Sequence, residues 1–354
     1  MSSSYEVRRI LGDVPSLGGR IKAIPDDFLV EEIPAYEPCG TGGFLYLWVE
    51  KCDFPAEKLA REVGFRLGVK PQDVGIAGLK DRRAITRQWV SVPIQCEERL
   101  ADFDDGLLRI LGVSRHGNKL RTGHVRGNRF TIRVRDLSAE GKEELPRRAE
   151  RLRATGLPNA FGPQRFGHGG ETARLGWSMV RGEKVRLNPW LKKLACSAVQ
   201  SELFNAWLDR RIADGLLRVA LPGDVMAHSP RGGMFVCETP AVEQERVDRF
   251  EIVPAGPMFG PKMLPAREEA LVREQELISG RGLQPGWEPS GALFTGTRRR
   301  AVIPVPDLAW TSDEDGVVVK FSLPSGSYAT VLLSELLGPD ISPACEEMPD
   351  EDGA

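Results

Sequence analysis

The stretch GLKDRRAITRQW, Gly78 to Trp89, sets one carboxylate among four cations: Asp81 stands with Lys80, Arg82, Arg83 and Arg87. A positioned, desolvated carboxylate is a competent covalent nucleophile, and opposite charges within reach favour its ionised form. The same residues also make an ordinary surface ion pair at a strand–turn junction. A second piece, GNRFTIRVR (Gly127 to Arg135), alternates so that Asn128 and Phe130 face one side of a strand while Arg129 and Thr131 face the other. An amide beside an aromatic ring suits a base turned out of its stack. The amide reads the hydrogen-bonding edge and the ring stacks, a contact worth about 1–3 kcal/mol. Phe130 and Ile132 equally suit the core of a strand buried on both faces.

Two further pieces read either way. In KFSLPSGSYATVLLSEL, Phe321 precedes Pro324, and the Ser325–Gly326–Ser327 loop offers backbone N–H groups to a phosphate or simply joins a strand to a helix. NAFGPQRFG collects Phe161, Gln164, Arg165 and Phe166. Rings and guanidinium planes of this kind stack on exposed RNA bases, and they also anchor compact loops in which Gly162 and Gly167 supply unusual backbone angles.

Charge sharpens the partner question. The chain of 354 residues has a net charge of −2, which by itself argues against nucleic acid. Yet six of the acids lie in Pro339–Ala354, which holds no Lys or Arg, and the rest of the chain is net positive. That tail, 339–354, reads as disordered and solvated. Arg115 to Arg135 carries seven Lys and Arg, two His and no acid, a run that suits phosphate contacts or a solvated strand edge.

Other chemistries find no support. Six scattered cysteines without a CxxC pair, and only four histidines, argue against a metal site and fit a reducing compartment. GxxxxGK[ST], a complete GxGxxG, GxSxG and HExxH are all missing. No apolar run reaches membrane-span length, and the start lacks a signal-like stretch. A cytoplasmic location, no membrane and no obligatory protein partner are expected.

These residues need a scaffold. FLVEE (Phe28 to Glu32), GGFLYLWVEK (Gly42 to Lys51), RQWVSVP, LLRILGV and RFTIRVRDL read as strands. Pro55 opens a helix with Leu59, Val63 and Leu67 on one face. The regular alternation of a parallel βαβ array is absent, so a mixed or largely antiparallel sheet with packed helices is expected. From Ser138 the texture turns helical, and Pro146 should interrupt or start a segment there. LKKLACSAVQSELFNAWLDRRIADGLL reads as an amphipathic helix through Ala195, Val199, Leu203, Trp207 and Leu208. Strand character returns in GVVVKFSLP, whose strand should complete the first sheet.

Taken in order, AGLKDRRAITRQWVSV, together with DDFLVEEI, GNRFTIRVR, LPNAFGPQRFG, SELFNAWLDRR and FSLPSGSYAT, resembles the TruD family of tRNA pseudouridine synthases. The blocks span Asp26 to Leu336. The resemblance implies an α+β fold in which a mixed, largely antiparallel sheet domain is split by an inserted TRUD domain. On this chain those parts are 1–155 and 303–338 for catalysis and 156–302 for the insert. It implies isomerisation of uridine to pseudouridine in tRNA, in bacterial members at position 13, with neither metal nor cofactor. Asp81 would be the nucleophile and Lys80 would help position it. Phe130 would stack on the target base, Asn128 would bond to bound nucleotide, and Phe28 and Phe321 match further substrate positions. Arg82, Arg126, Arg129, Gln164 and Arg165 are the RNA-contact candidates. Ala160 and Ser334 depart from the family's usual Tyr and Arg. A non-catalytic RNA binder or chaperone on the same scaffold is the alternative reading; a phosphoryl-transfer enzyme built on Asp81 and Lys80 lacks the clustered carboxylates that usually hold Mg²⁺.

Overall fold

A computed structural model describes residues 6–230, 232–284, 293–339 and 341–343. The acidic tail beyond 343 lies outside these residues. The chain divides into two compact units, one of Ser16–Glu150, Val305–Gly326 and Leu336–Ala354, the other of Met1–Pro15, Arg151–Pro304 and Ser327–Glu335. The strands in chain order are β1 (Arg20–Ile21), β2 (Phe28–Pro34), β3 (Phe44–Cys52), β4 (Gly75–Ile76), β5 (Ile85–Pro93), β6 (Leu108–His116), β7 (Val125–Val134), β8 (Leu157–Pro158) and β9 (Val225–His228). They continue as β10 (Met234–Val236), β11 (Ile252–Met258), β12 (Thr297–Arg300), β13 (Val302–Ile303), β14 (Ala309–Asp313), β15 (Gly316–Pro324) and β16 (Ser342–Pro343).

The first unit is built on an eight-stranded sheet ordered β14-β15-β7-β2-β5-β3-β6, with β4 on β5. Only the β2–β5 pair is parallel. The late strand β15 pairs with β7, completing the sheet of the first 135 residues as expected. β3 lies between β5 and β6, and alternation sends Leu45, Leu47, Val49 and Lys51 to one face, all fully buried. α1 (Leu59–Leu67) turns its buried Leu59, Val63 and Leu67 into the cluster formed with Leu45, Leu47, Val49, Val90 and Val92. Each such side chain contributes about 1.5–3 kcal/mol on burial. Gly68 stops the helix at φ +66°, a left-handed conformation that favours glycine.

One expectation is corrected. α2 (Ala139–Thr155) runs through Pro146 without a break. Proline there removes one N–H and crowds the carbonyl of Lys142, a local penalty; buried Leu145, Arg148, Ala149 and Leu152 hold the helix together around it.

In the other unit α3 (Glu171–Val180) and α4 (Pro189–Ala213) accompany an antiparallel sheet ordered β10-β9-β11-β12. Asn188 caps α4 by accepting the Leu191 N–H at 2.8 Å, with Pro189 in the first turn. The expected apolar face is buried, and so are Gln200, Glu202, Asn205 and Arg211, which makes α4 a central element rather than a one-sided surface helix. The first residues belong here because Arg8 pairs with Asp209 and the Glu335 carboxylate accepts the Ile10 and Leu11 N–H groups. Among the described residues no helix is long and apolar enough to cross a membrane.

Candidate active site

Strand register builds the site as two adjacent rows on one face of the large sheet. Phe321 lies opposite Phe130, Phe130 opposite Val30, Val30 opposite Thr86, and Thr86 opposite Lys51. In the neighbouring row Leu323 lies opposite Asn128, Asn128 opposite Glu32, and Val49 opposite Gln88. Directly paired residues share a face, so an aromatic end on β15, β7 and β2 passes into a polar end on β2, β5 and β3. Phe130 stacks on Phe321 at 5.1 Å, and Phe28 meets Phe130 edge-on at 6.4 Å. Gly127 allows β7 and β15 to close here, since a Cβ at 127 would lie 2.3 Å from the Leu323 carbonyl oxygen.

The segment from Ala77 to Ala84, between β4 and β5, carries the proposed nucleophile over the polar end. Lys80 turns inward, and its Nζ meets Glu32 Oε2 at 2.8 Å with both side chains buried. Lys51 Nζ donates to the carbonyls of Asp81 at 2.7 Å, Phe54 at 2.8 Å and Lys80 at 3.3 Å. Gln88 Nε2 donates to the Gly78 carbonyl at 3.3 Å. Leu79 and Asp81 point the other way and are exposed, Asp81 by 61%. Lys22 Nζ reaches Asp81 Oδ2 at 3.3 Å and stands 4.3 Å over the Phe28 ring. An ion pair this open contributes about 0–1 kcal/mol; its use is direction, and covering it with a ligand would strengthen it by lowering the local dielectric.

Three of the four cations around Asp81 in sequence, Lys80, Arg82 and Arg87, are engaged elsewhere. Register puts Arg87 between Glu31 and Glu50 on the opposite face, and its guanidinium bonds both, at 3.1 and 2.8 Å. Arg82 lies 3.7 Å from Asp53. Among the described residues the ion that meets the Asp81 carboxylate is Lys22, which sequence reading missed, along with Glu32 and Lys51.

Of the other expected residues, Asn128 and Phe130 share the Asp81 face with Phe28 and Phe321. Phe130 is only 7% exposed, so its ring serves the core as well as any ligand. Asn128 Oδ1 is buried with no hydrogen-bond partner among the described residues. Arg129, one residue out of phase, is exposed on the opposite face; Arg126 is exposed near the strand's start. In the basic run, Arg115, Arg133 and Arg135 are paired with Glu97, Asp313 and Asp27, whereas no ion pair is described for Arg121, Arg126 or Arg129. The Ser325 N–H donates to the Arg126 carbonyl at 3.0 Å and is thereby committed to the backbone.

Gln164 and Arg165 belong to the other unit. Gln164 is exposed. The Arg165 guanidinium bonds Ser197 and Ser201 of α4 and lies 5.6 Å from the Phe161 ring centre. Arg299 covers that ring at 4.0 Å and bonds Asn159, and burial draws its pKa down to about 10. Ala160 is buried against Phe204 and Trp207, and at Ser334 the carbonyl accepts from Arg9 at 3.2 Å. No group of three or more His, Cys, Asp or Glu among the described residues could hold a metal ion.

Fold and site together define an α+β protein with one outward carboxylate on a loop fastened from below, beside a block of three phenylalanine rings. The family model described as tRNA pseudouridine synthase D (TruD) matches residues 5–186 and 184–336. A tRNA pseudouridine synthase D from Anaeromyxobacter dehalogenans (strain 2CP-C) is 45% identical over 97% of this chain and 98% of its own. One from Thermus thermophilus is 40% identical over 92% of this chain and 90% of its own. A solved TruD structure from Methanosarcina mazei shares the fold at a TM-score of 0.78, with 22% identity, covering 94% of this chain and 96% of that one. The chain belongs to the TruD family of tRNA pseudouridine synthases.

Proposed function

We propose that this chain isomerises uridine to pseudouridine in tRNA, at position 13, with Asp81 as nucleophile on a flipped-out nucleotide and with neither metal nor cofactor. Family membership supports the activity. The observation that carries the assignment is that the Asp81 backbone is fastened by Lys51 while its carboxylate faces outward beside Lys22. As the C1′–N1 bond breaks, the electron pair leaves with the uracil, and the carboxylate either bonds C1′ or, by the other route, adds to C6. The base turns, C5 bonds the sugar, the carboxylate is released, and the C5 proton goes to solvent.

The other residues follow from this. Asn128 Oδ1, buried and unpartnered, is an acceptor for the imide N–H of the base. The Phe28, Phe130 and Phe321 block gives the ring a preformed apolar wall, and Lys80 positions the loop through Glu32. The bound nucleotide must itself cover the exposed carboxylate, because water would otherwise capture the sugar centre. Arg82, Arg126, Arg129, Gln164 and Arg165 are assigned to RNA contacts, the sheet unit to catalysis, 156–302 to the TRUD insert, and the protein to the cytoplasm with tRNA as its partner.

The test is carbodiimide-stop primer extension on tRNA incubated with the purified chain and EDTA. A new stop at position 13 is expected. Tight tRNA binding with no stop at any position would favour the non-catalytic RNA binder instead.

A further inference from the structure

Lys51 sits where the pattern of β3 calls for an apolar residue, in phase with Leu45, Leu47 and Val49, and it is fully buried. A buried cation without a carboxylate partner is penalised by desolvation, so stability alone would favour a methionine or leucine. What the ammonium provides is three N–H donors and no acceptor. Its three partners are all backbone carbonyls, those of Phe54, Lys80 and Asp81. Two of them belong to the peptides that lead into and out of Asp81.

We infer that Lys51 is a positioning residue for this reaction: its charged ammonium fixes the backbone on both sides of the Asp81 Cα and thereby the direction of the carboxylate. The inference rests on the reading of Asp81 as the nucleophile. Lys51 does not touch the Asp81 carboxylate; it acts through the main chain.

Titration supports the geometry. Burial pulls Lys51 from 10.5 down to about 8, opposed by the charge of Asp81 and reinforced by that of Lys80, with Glu57 and Asp53 opposing further. Glu50 and Cys52 flank it on β3 and Thr86 lies opposite it on β5; burial raises the Cys52 thiol, which stays neutral where Lys51 titrates. A neutral amine keeps two donors and gains a lone pair, so one carbonyl is released as pH rises through about 8. The folded chain holds this proton less tightly than the unfolded chain does. Through this group, raising the pH from about 8 toward 10.5 therefore favours the fold while it loosens the loop.

The experiment compares full-length wild type with Lys51→Met, which keeps an unbranched side chain one atom shorter and removes its charge. In single turnover with tRNA the variant is expected to be slower by about a hundredfold, the scale of an ångström of misplacement. Its tRNA affinity should stay within about threefold, its melting midpoint should not fall, and amides 79–84 should exchange faster with deuterium. The wild-type rate should begin to fall near pH 8, and that fall should be absent from the variant. A variant rate close to wild type, or a rate loss matched by collapse of affinity and melting midpoint, overturns the inference. So does the same alkaline fall in the variant. Should wild type form no pseudouridine, the reading of Asp81 fails, and the exchange rates still decide whether Lys51 holds the loop: unchanged exchange overturns it.

Discussion

Glu32→Ala tests how the loop is held. Lys80 and Glu32 form a pair whose side chains are 5% and 0% exposed, so the alanine leaves a buried ammonium with no counter-charge. Breaking a buried pair from one side costs about 3–5 kcal/mol. For a unit of this size, where 1 kcal/mol moves the melting midpoint about 2–4 °C, the loss is roughly 6–20 °C. Urea and thermal unfolding read this directly, through the Trp48–Trp89 ring pair on the same sheet. The double replacement Glu32→Leu with Lys80→Met removes both charges and should recover most of the stability, since a buried pair is replaceable by apolar side chains of similar volume. Its pseudouridine formation should stay low, because the loop has lost an anchor even though the fold has not. A single variant that loses under about 1 kcal/mol, or a double variant as unstable as the single one, would refute the pair as an anchor.

Two more outcomes follow from the site. Arg126→Ala and Arg129→Ala should each weaken tRNA binding and lower the salt slope by about 1, whereas Arg133→Ala, whose partner is Asp313, should leave it unchanged; equal slopes for all three would make the run plain surface. Phe130→Ala should reduce turnover more than tRNA affinity, as stacking worth about 1–3 kcal/mol is used to hold the base in its reactive pose, and an equal loss in both would remove that role.

Much of the scaffold was legible from local pattern. The strands around Phe28, Phe130 and Phe321 carry period-two alternation, which sets the phase of each ring, while the pairing of β15, β7 and β2 brings the three rings onto one face. The loop residue Asp81 was legible as a lone acid. Its partner was not, because proximity in sequence suggested Lys80, Arg82, Arg83 and Arg87, while pairing across strands commits Arg87 to Glu31 and Glu50 and burial commits Lys80 to Glu32. Lys22 comes from 59 positions upstream through a turn with φ +56°, which residue type does not announce in a lysine. Lys51 and Glu32 did leave a signal. Each stands in the buried phase of its strand, after Leu45, Leu47 and Val49 in one case and Phe28 and Val30 in the other, and a charge in that phase demands a partner. Pro146 misled because its local penalty is outweighed by the packing of the rest of α2.

Asp81→Ala, assayed by tritium release from C5-tritiated uridine in tRNA with EDTA present, bears most directly on the central claim. Wild type should release the label from one uridine per tRNA, and the variant should bind tRNA and release none. Release by the variant at the wild-type rate would contradict the account.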